Sequence, residues 1–454
     1  MSFDAAVAAF RRDPSLLRLA PRVHHYQWGG LDFIPRLIGV SNPERRPFAE
    51  LWIGAHPLGP CTVALDGGNA PSAPGGNLTL AELITRAPRE TLGGEASKRF
   101  ANELPYLLKV LDARSPLSIQ AHPSLDQARE GFARENAMGI PLDAPGRNYR
   151  DANHKPEVHV VLSEFRMLHG FRPLEQIAGI MSAVPEVGAV MPDFVRRLDG
   201  AGWDPQARRG VLRDLYERIM TMPQERVDAH LDPLLARLER ECPSDKDNPD
   251  FWALATSRAF PLPGGSRDRG IFSLYLLNLV SLRPGQGTFQ PAGTLHAYLE
   301  GVTVELMASS DNVLRGGLTP KHVDVRELLR TLSFDPGEPA VMEGTALSPS
   351  ERAYAAPVDD FLLSRVEVGQ GHGSGSAHDS GSAHGPECLI VCEGAALART
   401  RSGAMELPRG AAVFVPAGVR YSLEPAGQGG HAVLFKAGVP LSQPATRTRE
   451  TAQG

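Results

Sequence analysis

The chain has little cysteine and no long apolar run. Four cysteines among 454 residues are too few for a disulfide framework, which excludes a disulfide-stabilised secreted domain. We expect Cys61, Cys242, Cys388 and Cys392 to be buried, reduced thiols, since the C-x3-C spacing of the last two is a weak metal signal. No run approaches the ~20 apolar residues of a membrane span, and the N-terminus does not resemble a signal peptide. We therefore expect a cytoplasmic protein without a membrane partner.

An excess of charge of one sign is also absent. The chain has 47 Lys and Arg against 52 Asp and Glu, a net charge of −5, which excludes a strongly basic surface and predicts no nucleic-acid partner. Lysine itself is scarce, with six residues in the whole chain. Glycine and proline are plentiful at 46 and 39, which favours many turns and short strands.

Short apolar runs broken by Pro and Gly predict a β-rich region over residues 21–162. Within and before it we expect three helices, over the first 20 residues, from Thr79 to 87, and over 124–137 with Ser124 as N-cap.

A helical block follows, because apolar residues recur three or four apart from 163 to 258. Asp204-Pro205 is typical of a helix start, and the apolar stripe of that helix is Leu212, Leu215 and Ile219. From Ile271 a long apolar run predicts a buried strand. A short helix near 323–332 and a strand-and-turn region over 340–442 complete the pattern.

An internal similarity relates the two β regions. Residues 285–293 read GQGTFQPAG and residues 410–418 read GAAVFVPAG, which share G-x-x-x-F-x-P-A-G. Two cupin or jelly-roll barrels would produce this repeat, although F-x-P-A-G can also be only a common hairpin. Three residues after each Pro-Ala-Gly stand His296 and Tyr421, so if the motif carries a metal ligand, the first copy has it and the second does not.

The predicted fold is mainly β with an α-helical insertion: a cupin or jelly-roll catalytic barrel, a helical domain and a second, C-terminal cupin-like barrel. The low-complexity stretch 369–385, with His372, His378 and His384, is predicted to be a flexible solvated loop. The predicted segments are the first part of the catalytic barrel at 1–162, the helical insertion at 163–258, the second part of the catalytic barrel at 259–335, and the C-terminal barrel at 336–454.

Metal-capable side chains concentrate in four segments with strand-like surroundings. Gln120 and His122 are two apart, so on a strand they share a face. A catalytic metal needs three or four convergent ligands, and His, carboxylate and amide donors suit Zn²⁺, with Fe²⁺ or Mn²⁺ possible. The further candidates are His154, Lys155, Glu157, His159, His296, Glu305, Arg315 and Lys321.

These segments, taken in order, resemble the zinc-dependent mannose-6-phosphate isomerases of the type I, cupin-like family. The resemblance implies one Zn²⁺ per chain, held by Gln120, His122, Glu157 and His296. His159 is not a ligand position of that family; it can face the same side as Glu157, or be an ordinary hydrogen-bonded interior histidine. The matching segments are YQWG (26–29), AELWIGAHPLGP (49–60), LPYLLKVLDARSPLSIQAHPS (104–124), NHKPEVHVVLSEFRMLHGFRP (153–173) and the block 289–321.

The resemblance also implies a reaction, the reversible isomerisation of D-mannose 6-phosphate and D-fructose 6-phosphate. A proton leaves C2, a cis-enediol(ate) forms and a proton returns at C1, which needs a base and an electrophile on the sugar oxygens. The base candidates are Glu305, His154 and Lys155. We favour Glu305, because a carboxylate that a bound sugar shields from water becomes a stronger base.

Further residues resemble the substrate contacts of the family. Arg315 fits a role in electrostatic stabilisation or in orienting the sugar, and Ser118 and Lys321 resemble phosphate contacts. Trp28 and Tyr298 resemble aromatic walls of the site, although Trp28 could equally pack in the core.

Two other functions remain open from the sequence alone. Two His and a carboxylate can hold Fe²⁺ in a metal-dependent cupin oxygenase. A non-catalytic sugar-phosphate-binding protein would keep the fold without turnover. For the isomerase, we expect the binding partner to be a small hexose 6-phosphate. We expect the protein to be a monomer or a weak oligomer.

Overall fold

The computed structural model describes residues 3–64, 78–369, 378–427 and 430–440. The helices in those residues are α1 (Phe3–Arg12), α2 (Phe33–Leu37), α3 (Leu80–Arg86), α4 (Pro88–Arg99), α5 (Leu125–Ala137), α6 (Leu174–Ala183), α7 (Pro185–Gly188), α8 (Phe194–Ala201), α9 (Pro205–Thr221), α10 (Gln224–Glu241), α11 (Pro249–Ala259), α12 (Ser273–Leu276) and α13 (Val325–Thr331), with 3-10 turns at Pro263–Gly265 and Arg269–Phe272. None of the helices in these ranges combines the length and apolar composition needed to cross a membrane.

The strands in the same residues are mostly short, as the Gly and Pro content predicts. They are β1 (Leu17–Ala20), β2 (Arg22–His24), β3 (Glu50–Gly54), β4 (Thr62–Val63), β5 (Tyr106–Ala113), β6 (Ile119–Ala121), β7 (Glu157–Val161), β8 (Phe165–Phe171), β9 (Leu277–Leu282), β10 (Gly287–Gln290), β11 (His296–Ala308), β12 (Leu314–Gly317), β13 (Thr345–Ser348), β14 (Glu351–Tyr354), β15 (Leu362–Gly369), β16 (His378–Ser382), β17 (Glu387–Thr400), β18 (Gly403–Pro408), β19 (Ala412–Val415), β20 (Arg420–Pro425) and β21 (His431–Gly438).

The chain divides into two compact units. The first contains Met1–Arg22, Trp52–Leu108 and Thr345–Gly454, and the second contains Val23–Leu51 and Lys109–Gly344. The four-segment division expected from the sequence stays a prediction.

One antiparallel sheet of ten described strands carries the metal-capable segments. Its main path is β10-β7-β11-β5-β3-β2; β6 and β8 pair with β11, β12 pairs with β6, and β9 pairs with β8. A second sheet, of eleven described strands, runs β13-β14-β15-β21-β17-β19-β1-β4, with β16, β18 and β20 off this path. This mainly β architecture with a helical block confirms the predicted fold class.

The helical block lies between β8 and β9. Leu212, Leu215 and Ile219 of α9 are buried in a large cluster that also contains Ile119 of β6 and Leu277 of β9. The stripe read from the sequence is therefore the face that packs on the core.

Helix starts are where the sequence agrees most closely with the structure. Thr79 and Ser124 each form a capping box, with Glu82 and Gln127 as the respective partners. The Asp204 side chain accepts from the backbone N–H of Gln206 at the start of α9. Each of these bonds joins residues two or three positions apart, so a local pattern is enough to predict them.

Three predictions were wrong where tertiary pairing decides the conformation. The first helix ends at Arg12, and Leu17–Ala20 instead pair with β19 and β4. Residues Phe165–Phe171, predicted to be helical, form β8 between β9 and β11. The apolar run from Ile271 begins with helical turns and becomes a strand only at Leu277, because a fully buried segment has no periodicity to distinguish the two.

The C-terminal region shows two further differences. Residues 370–377 of the predicted loop, including His372, lie outside the described residues, whereas His378–Ser382 form β16 and pair with β20. The loop prediction is therefore wrong over 378–382. Cys242 is exposed, contrary to expectation, while Cys61, Cys388 and Cys392 are buried free thiols.

Candidate metal and phosphate site

Three of the four predicted metal ligands converge. His122, Glu157 and His296 present ligand atoms that all lie within 4.8 Å of one another, and all three side chains are buried. Glu157 begins β7 and His296 begins β11, while His122 directly follows β6. Because these strand ends meet, they bring together residues that are distant in sequence. His122 and His296, the most distant of the three, are 174 positions apart.

The protonation of the two histidines fits a cation. His122 Nδ1 lies 2.7 Å from the Asn312 carbonyl oxygen, and His296 Nδ1 lies 3.0 Å from that of Thr294. A carbonyl oxygen only accepts, so each Nδ1 carries a proton, and in the tautomer that binds a metal Nε2 presents its lone pair.

Both Nε2 atoms are buried without a hydrogen-bond partner among the described residues. They face the Glu157 carboxylate oxygens at 3.4 Å from His122 and 3.2 Å from His296. Two lone pairs that point toward an anion repel it, and a bound cation removes that repulsion. The donor set of two imidazoles and a carboxylate is one that Zn²⁺ accepts.

Gln120 lies on the same face of the sheet as this group. It is the direct cross-strand neighbour of His296 on one side and of Arg315 on the other. Directly opposed residues of antiparallel strands project to the same side. The register therefore places the predicted amide ligand beside His296, although no contact of the Gln120 side chain is described.

Lys155 sets the charge of the metal group. Its Nζ lies 3.1 Å from Glu157 Oε1, and both side chains are buried. Burial by itself would raise the pKa of Glu157, but Lys155 and His122 outweigh it and hold that pKa well below its usual range. Burial, assisted by Lys155, lowers the pKa of His122 to about 4. Both residues are therefore deprotonated near neutral pH, as metal ligands must be.

His159 is an interior histidine. Its Nδ1 and Nε2 lie 3.1 Å and 2.8 Å from the hydroxyls of Thr303 and Thr288, so both ring nitrogens are occupied. Burial lowers its pKa to about 3, so the ring is neutral. His154, by contrast, is half-buried at the end of the loop that precedes β7.

A second group of buried polar side chains surrounds Glu305 on β11, the strand next to β7. Glu305 of β11 pairs in register with His159 of β7. Its carboxylate accepts from Lys109 Nζ at 3.1 Å and from the Tyr298 hydroxyl at 2.7 Å. Burial would lower the pKa of Lys109, but Glu305, Glu50 and Glu157 together raise it, so Lys109 is an ammonium ion.

The two predicted aromatic walls lie in different environments. Tyr298 is buried, with its ring centroid 5.1 Å from that of His159 and 5.2 Å from that of Phe165. It contributes its hydroxyl to Glu305 rather than an exposed face. Trp28 is half-buried, packs against the cluster that contains Tyr298, and stacks on Tyr26 at 5.7 Å between centroids.

Three cations cluster without a carboxylate partner. Burial and the nearby Arg150 lower the pKa of Arg315, and burial, Arg315 and Arg150 lower that of Lys321. Within the described part of the chain, none of the three forms an ion pair. Mutually repelling cations that no carboxylate neutralises form a site for an anion with more than one charge. Ser118 is half-buried and directly precedes β6, two residues before Gln120.

The segment from Arg315 at β12 to Lys321 is fixed by Asp268. One Asp268 oxygen accepts from the backbone N–H of Gly270 and Leu318, and the other accepts from that of Thr319. Gly317 has φ +118° and a Cβ there would lie 2.6 Å from Gly270 Cα, so only glycine fits. The R-G-G-L segment can therefore turn tightly against the 3-10 turn at 269–272.

Asn312 connects the cations to the metal group. Its carbonyl oxygen accepts from His122 Nδ1, and its side-chain oxygen accepts from the backbone N–H of Arg150 at 2.7 Å. Its amide nitrogen donates to the carbonyl oxygens of Asp151 and Asn153 at 2.9 and 2.8 Å. Asn312 is fully buried, and a single residue thus positions both parts of the site.

Sequence reasoning missed Arg150, Lys109, Asp268 and Asn312. Lys109 had a signal, because it is the one charged residue in the apolar run LPYLLKVL. Arg150 had a weaker one, since it lies four residues before His154 but outside the segment 153–173. Asp268 and Asn312 act through backbone groups distant in sequence and had none.

Comparison with known proteins agrees with this geometry. Residues 16–174 match the family model described as phosphomannose isomerase type I, catalytic domain. The chain is 38% identical over 349 residues to mannose-6-phosphate isomerase of Salmonella typhimurium, covering 76% of this chain and 82% of the relative. It is 32% identical over 428 residues to that of Homo sapiens, covering 90% and 96%.

Solved structures give the same result. A mutant of phosphomannose isomerase from Salmonella typhimurium aligns with a TM-score of 0.81 at 32% identity, covering 94% of this chain and 100% of that one. A mannose 6-phosphate isomerase described as bound with zinc and yttrium aligns with a TM-score of 0.80 at 33% identity and the same coverage.

Proposed function

The chain belongs to the type I phosphomannose isomerase family, and from this premise we propose how its residues divide the work of the reaction. The enzyme interconverts mannose 6-phosphate and fructose 6-phosphate and is zinc-dependent. The observation that carries the assignment of roles is the convergence of His122, Glu157 and His296 beside cations that no carboxylate neutralises. The alternatives, an oxygenase or a non-catalytic sugar-phosphate-binding protein, are not favoured by the relatives.

The metal is held by Gln120, His122, Glu157 and His296. When bound, zinc supplies positive charge that polarises the sugar oxygens and orients them. Lys155 keeps Glu157 ionised for this role, and the carbonyl oxygens of Asn312 and Thr294 fix the imidazole tautomers.

Arg150, Arg315 and Lys321 bind the phosphate of the substrate. None of them has a carboxylate partner among the described residues, which supports this role, since a phosphate dianion would relieve the repulsion between them. Ser118, directly before β6, adds a hydroxyl. Arg315 is opposite the proposed ligand Gln120 in the sheet, which supports a second role in orienting the sugar.

Glu305 remains our choice for the base that moves the proton between C2 and C1. The donors Lys109 and Tyr298 hold its carboxylate in one orientation, which supports the assignment. Lys155 is engaged by Glu157 and serves the metal group instead. His154 is half-buried and is the remaining alternative for this step.

Isotope exchange tests the base. Proton transfer through an enzyme group exchanges substrate hydrogen with solvent, and this can be followed by mass spectrometry in deuterium oxide. E305Q should lose both turnover and exchange while retaining zinc, whereas H154Q should retain exchange. Exchange that persists in E305Q and is lost in H154Q would move the base to His154.

A coupled assay tests the assignment as a whole. One purified sample should contain one zinc per chain by elemental analysis and convert mannose 6-phosphate into fructose 6-phosphate. H122A or H296A should lose both metal and activity and retain the fold by circular dichroism. Stoichiometric zinc with full activity in either variant would refute the ligand assignment.

The setting of the enzyme is also part of the proposal. The buried free thiols support a reducing compartment such as the cytoplasm. We propose a monomer or weak oligomer, which sedimentation at several protein concentrations would test.

A further inference from the structure

The two sheets contain the same arrangement of six strands. The path β10-β7-β11-β5-β3-β2 in the first has the same order as β19-β17-β21-β15-β14-β13 in the second. The matched strands also follow one another in the same chain order, except that β11 corresponds to β20 and β21 together. The helical block between β8 and β9 corresponds to a tight turn, because β17 and β18 close at the pair Thr400 and Gly403.

The registers then assign individual residues to one another. Gln290, which precedes the Pro of the first F-x-P-A-G motif, pairs with Glu157. Val415, which precedes the Pro of the second motif, pairs with Glu387. Glu387 therefore has the position of the metal ligand Glu157.

A second pair of equivalent positions is His296 and Tyr421. Each lies three residues after the Gly of its motif. His296 pairs with His169 of β8, and Tyr421 pairs with Thr400 of β17. His296 Nε2 lies 3.2 Å from Glu157 Oε2, and the Tyr421 hydroxyl donates to Glu387 Oε2 at 2.6 Å. The same two positions are thus in contact in both barrels.

The remaining two ligand positions follow from one hydrogen bond. The backbone N–H of Gly293 donates to the carbonyl oxygen of His122 at 2.8 Å, and that of Gly418 donates to the carbonyl oxygen of Ala383 at 2.7 Å. Ala383 therefore has the position of His122. Gly381, two residues earlier, has that of Gln120.

The surroundings support the match. Ala383 and Tyr421 belong to one buried cluster of the second barrel. Glu305, opposite His159 in the first barrel, corresponds by register to Lys436, opposite Leu389 in the second. Lys436 Nζ lies 2.7 Å from Glu351 Oε1, so an ion pair is present at this position of both sheets, although its partner is on β5 in the first and on β14 in the second.

We propose that Gly381, Ala383, Glu387 and Tyr421 form a lapsed metal site, the counterpart in the C-terminal barrel of the zinc site in the first. It retains the carboxylate and has lost the other three donors, and Tyr421 satisfies the carboxylate in place of a cation. Introducing histidine at positions 383 and 421 makes this barrel bind a divalent transition metal such as Zn²⁺. The proposal rests on the ligand set proposed above for the first barrel.

The test is the zinc content of A383H/Y421H, measured by elemental analysis after dialysis against metal-free buffer. The smaller ring at 421 releases part of the volume that the imidazole at 383 needs. We expect two zinc ions per chain against one in the wild type, and unchanged isomerase activity because the first barrel is untouched. The matched control A383H/Y421H/E387Q should return to one, since it lacks the retained carboxylate.

The single variant Y421H covers the case in which the double variant does not fold. Tyr to His reduces side-chain volume and keeps a donor beside Glu387. Added Zn²⁺ should raise the thermal midpoint of Y421H by about 2–4 °C and leave Y421H/E387Q unchanged.

The outcomes separate the two proposals. One zinc in the folded double variant, or a midpoint in Y421H that does not respond to Zn²⁺, overturns the lapsed site. A wild-type protein without zinc, or an H122A variant that retains its zinc, instead overturns the ligand set of the first barrel. Substituting Co²⁺ for Zn²⁺ and recording its visible absorption gives an independent count of tetrahedral sites.

Discussion

Glu157 and Glu387 have equivalent places in two similar sheets and opposite electrostatic environments. Glu157 faces two imidazole nitrogens and the Lys155 ammonium, which hold its pKa well below the usual range. Glu387 accepts from a neutral hydroxyl, and burial raises its pKa because Lys436 and Tyr421 do not compensate fully. The strand framework therefore supplies a position for a carboxylate, and the side chains on the neighbouring strands decide what that carboxylate does.

The largest expected effect comes from removing each carboxylate in turn. E157Q should lose zinc and reduce kcat/KM by more than the roughly 100-fold typical of an outer contact, because it removes a direct ligand. E387Q should retain one zinc and wild-type turnover. Elemental analysis and steady-state kinetics on both variants check this, and a loss of activity in E387Q would contradict the division of roles between the barrels.

The two buried ion pairs give the next effect. K109M leaves Glu305 without its cation, and breaking a buried pair from one side costs about 3–5 kcal/mol of unfolding free energy. It should also lower kcat, since Glu305 loses its orientation. K436M should destabilise less, because its pair is less buried, and should leave kcat unchanged. Urea denaturation with kinetics on the same preparations measures both; equal loss of kcat would remove the distinction.

The phosphate cations are expected to affect mainly KM. R150A, R315A and K321A each remove a hydrogen bond to a charged group worth about 1.5–3 kcal/mol, or roughly 10–150-fold in KM for the sugar phosphate. R420A is the matched control, since Arg420 directly precedes Tyr421 in the second barrel and is exposed. A KM for R150A equal to that of R420A would place the phosphate elsewhere.

The smallest effect is a pH dependence in the second barrel. Glu387 has a higher pKa in the folded chain than its ordinary value of 4.5, so its contribution to stability is full below pH 4.5 and is lost as the pH rises through the folded pKa. The free energy of unfolding of the wild type should therefore fall relative to E387Q over that range. Parallel curves from urea titrations at several pH values would show that Glu387 does not titrate differently on folding.

The sequence predicted what depends on local pattern and on long motifs. Helix starts at Thr79, Ser124 and Asp204 follow from side chains within three residues, and all are present. The convergence of His122, Glu157 and His296 came from the family resemblance, since nothing in their spacing brings them together.

What the sequence could not predict depends on pairing between distant strands. The helix expected through residue 20 ends early, because Leu17 and Leu19 bury themselves against β19. Tyr298, expected to be a wall of the site, is buried and bonded to Glu305. The equivalence of Ala383 with His122 cannot be predicted from the sequence, since it rests on one backbone hydrogen bond in each barrel.

Asn312 has a consequence for binding thermodynamics. Its carbonyl oxygen orients His122, and its side chain holds the backbone of Arg150. Metal binding and phosphate binding are therefore coupled through the same residue. Linkage requires that any factor by which zinc changes the affinity for inorganic phosphate equals the factor by which phosphate changes the affinity for zinc. The metal content of the enzyme would then respond to the supply of phosphorylated sugar in its surroundings.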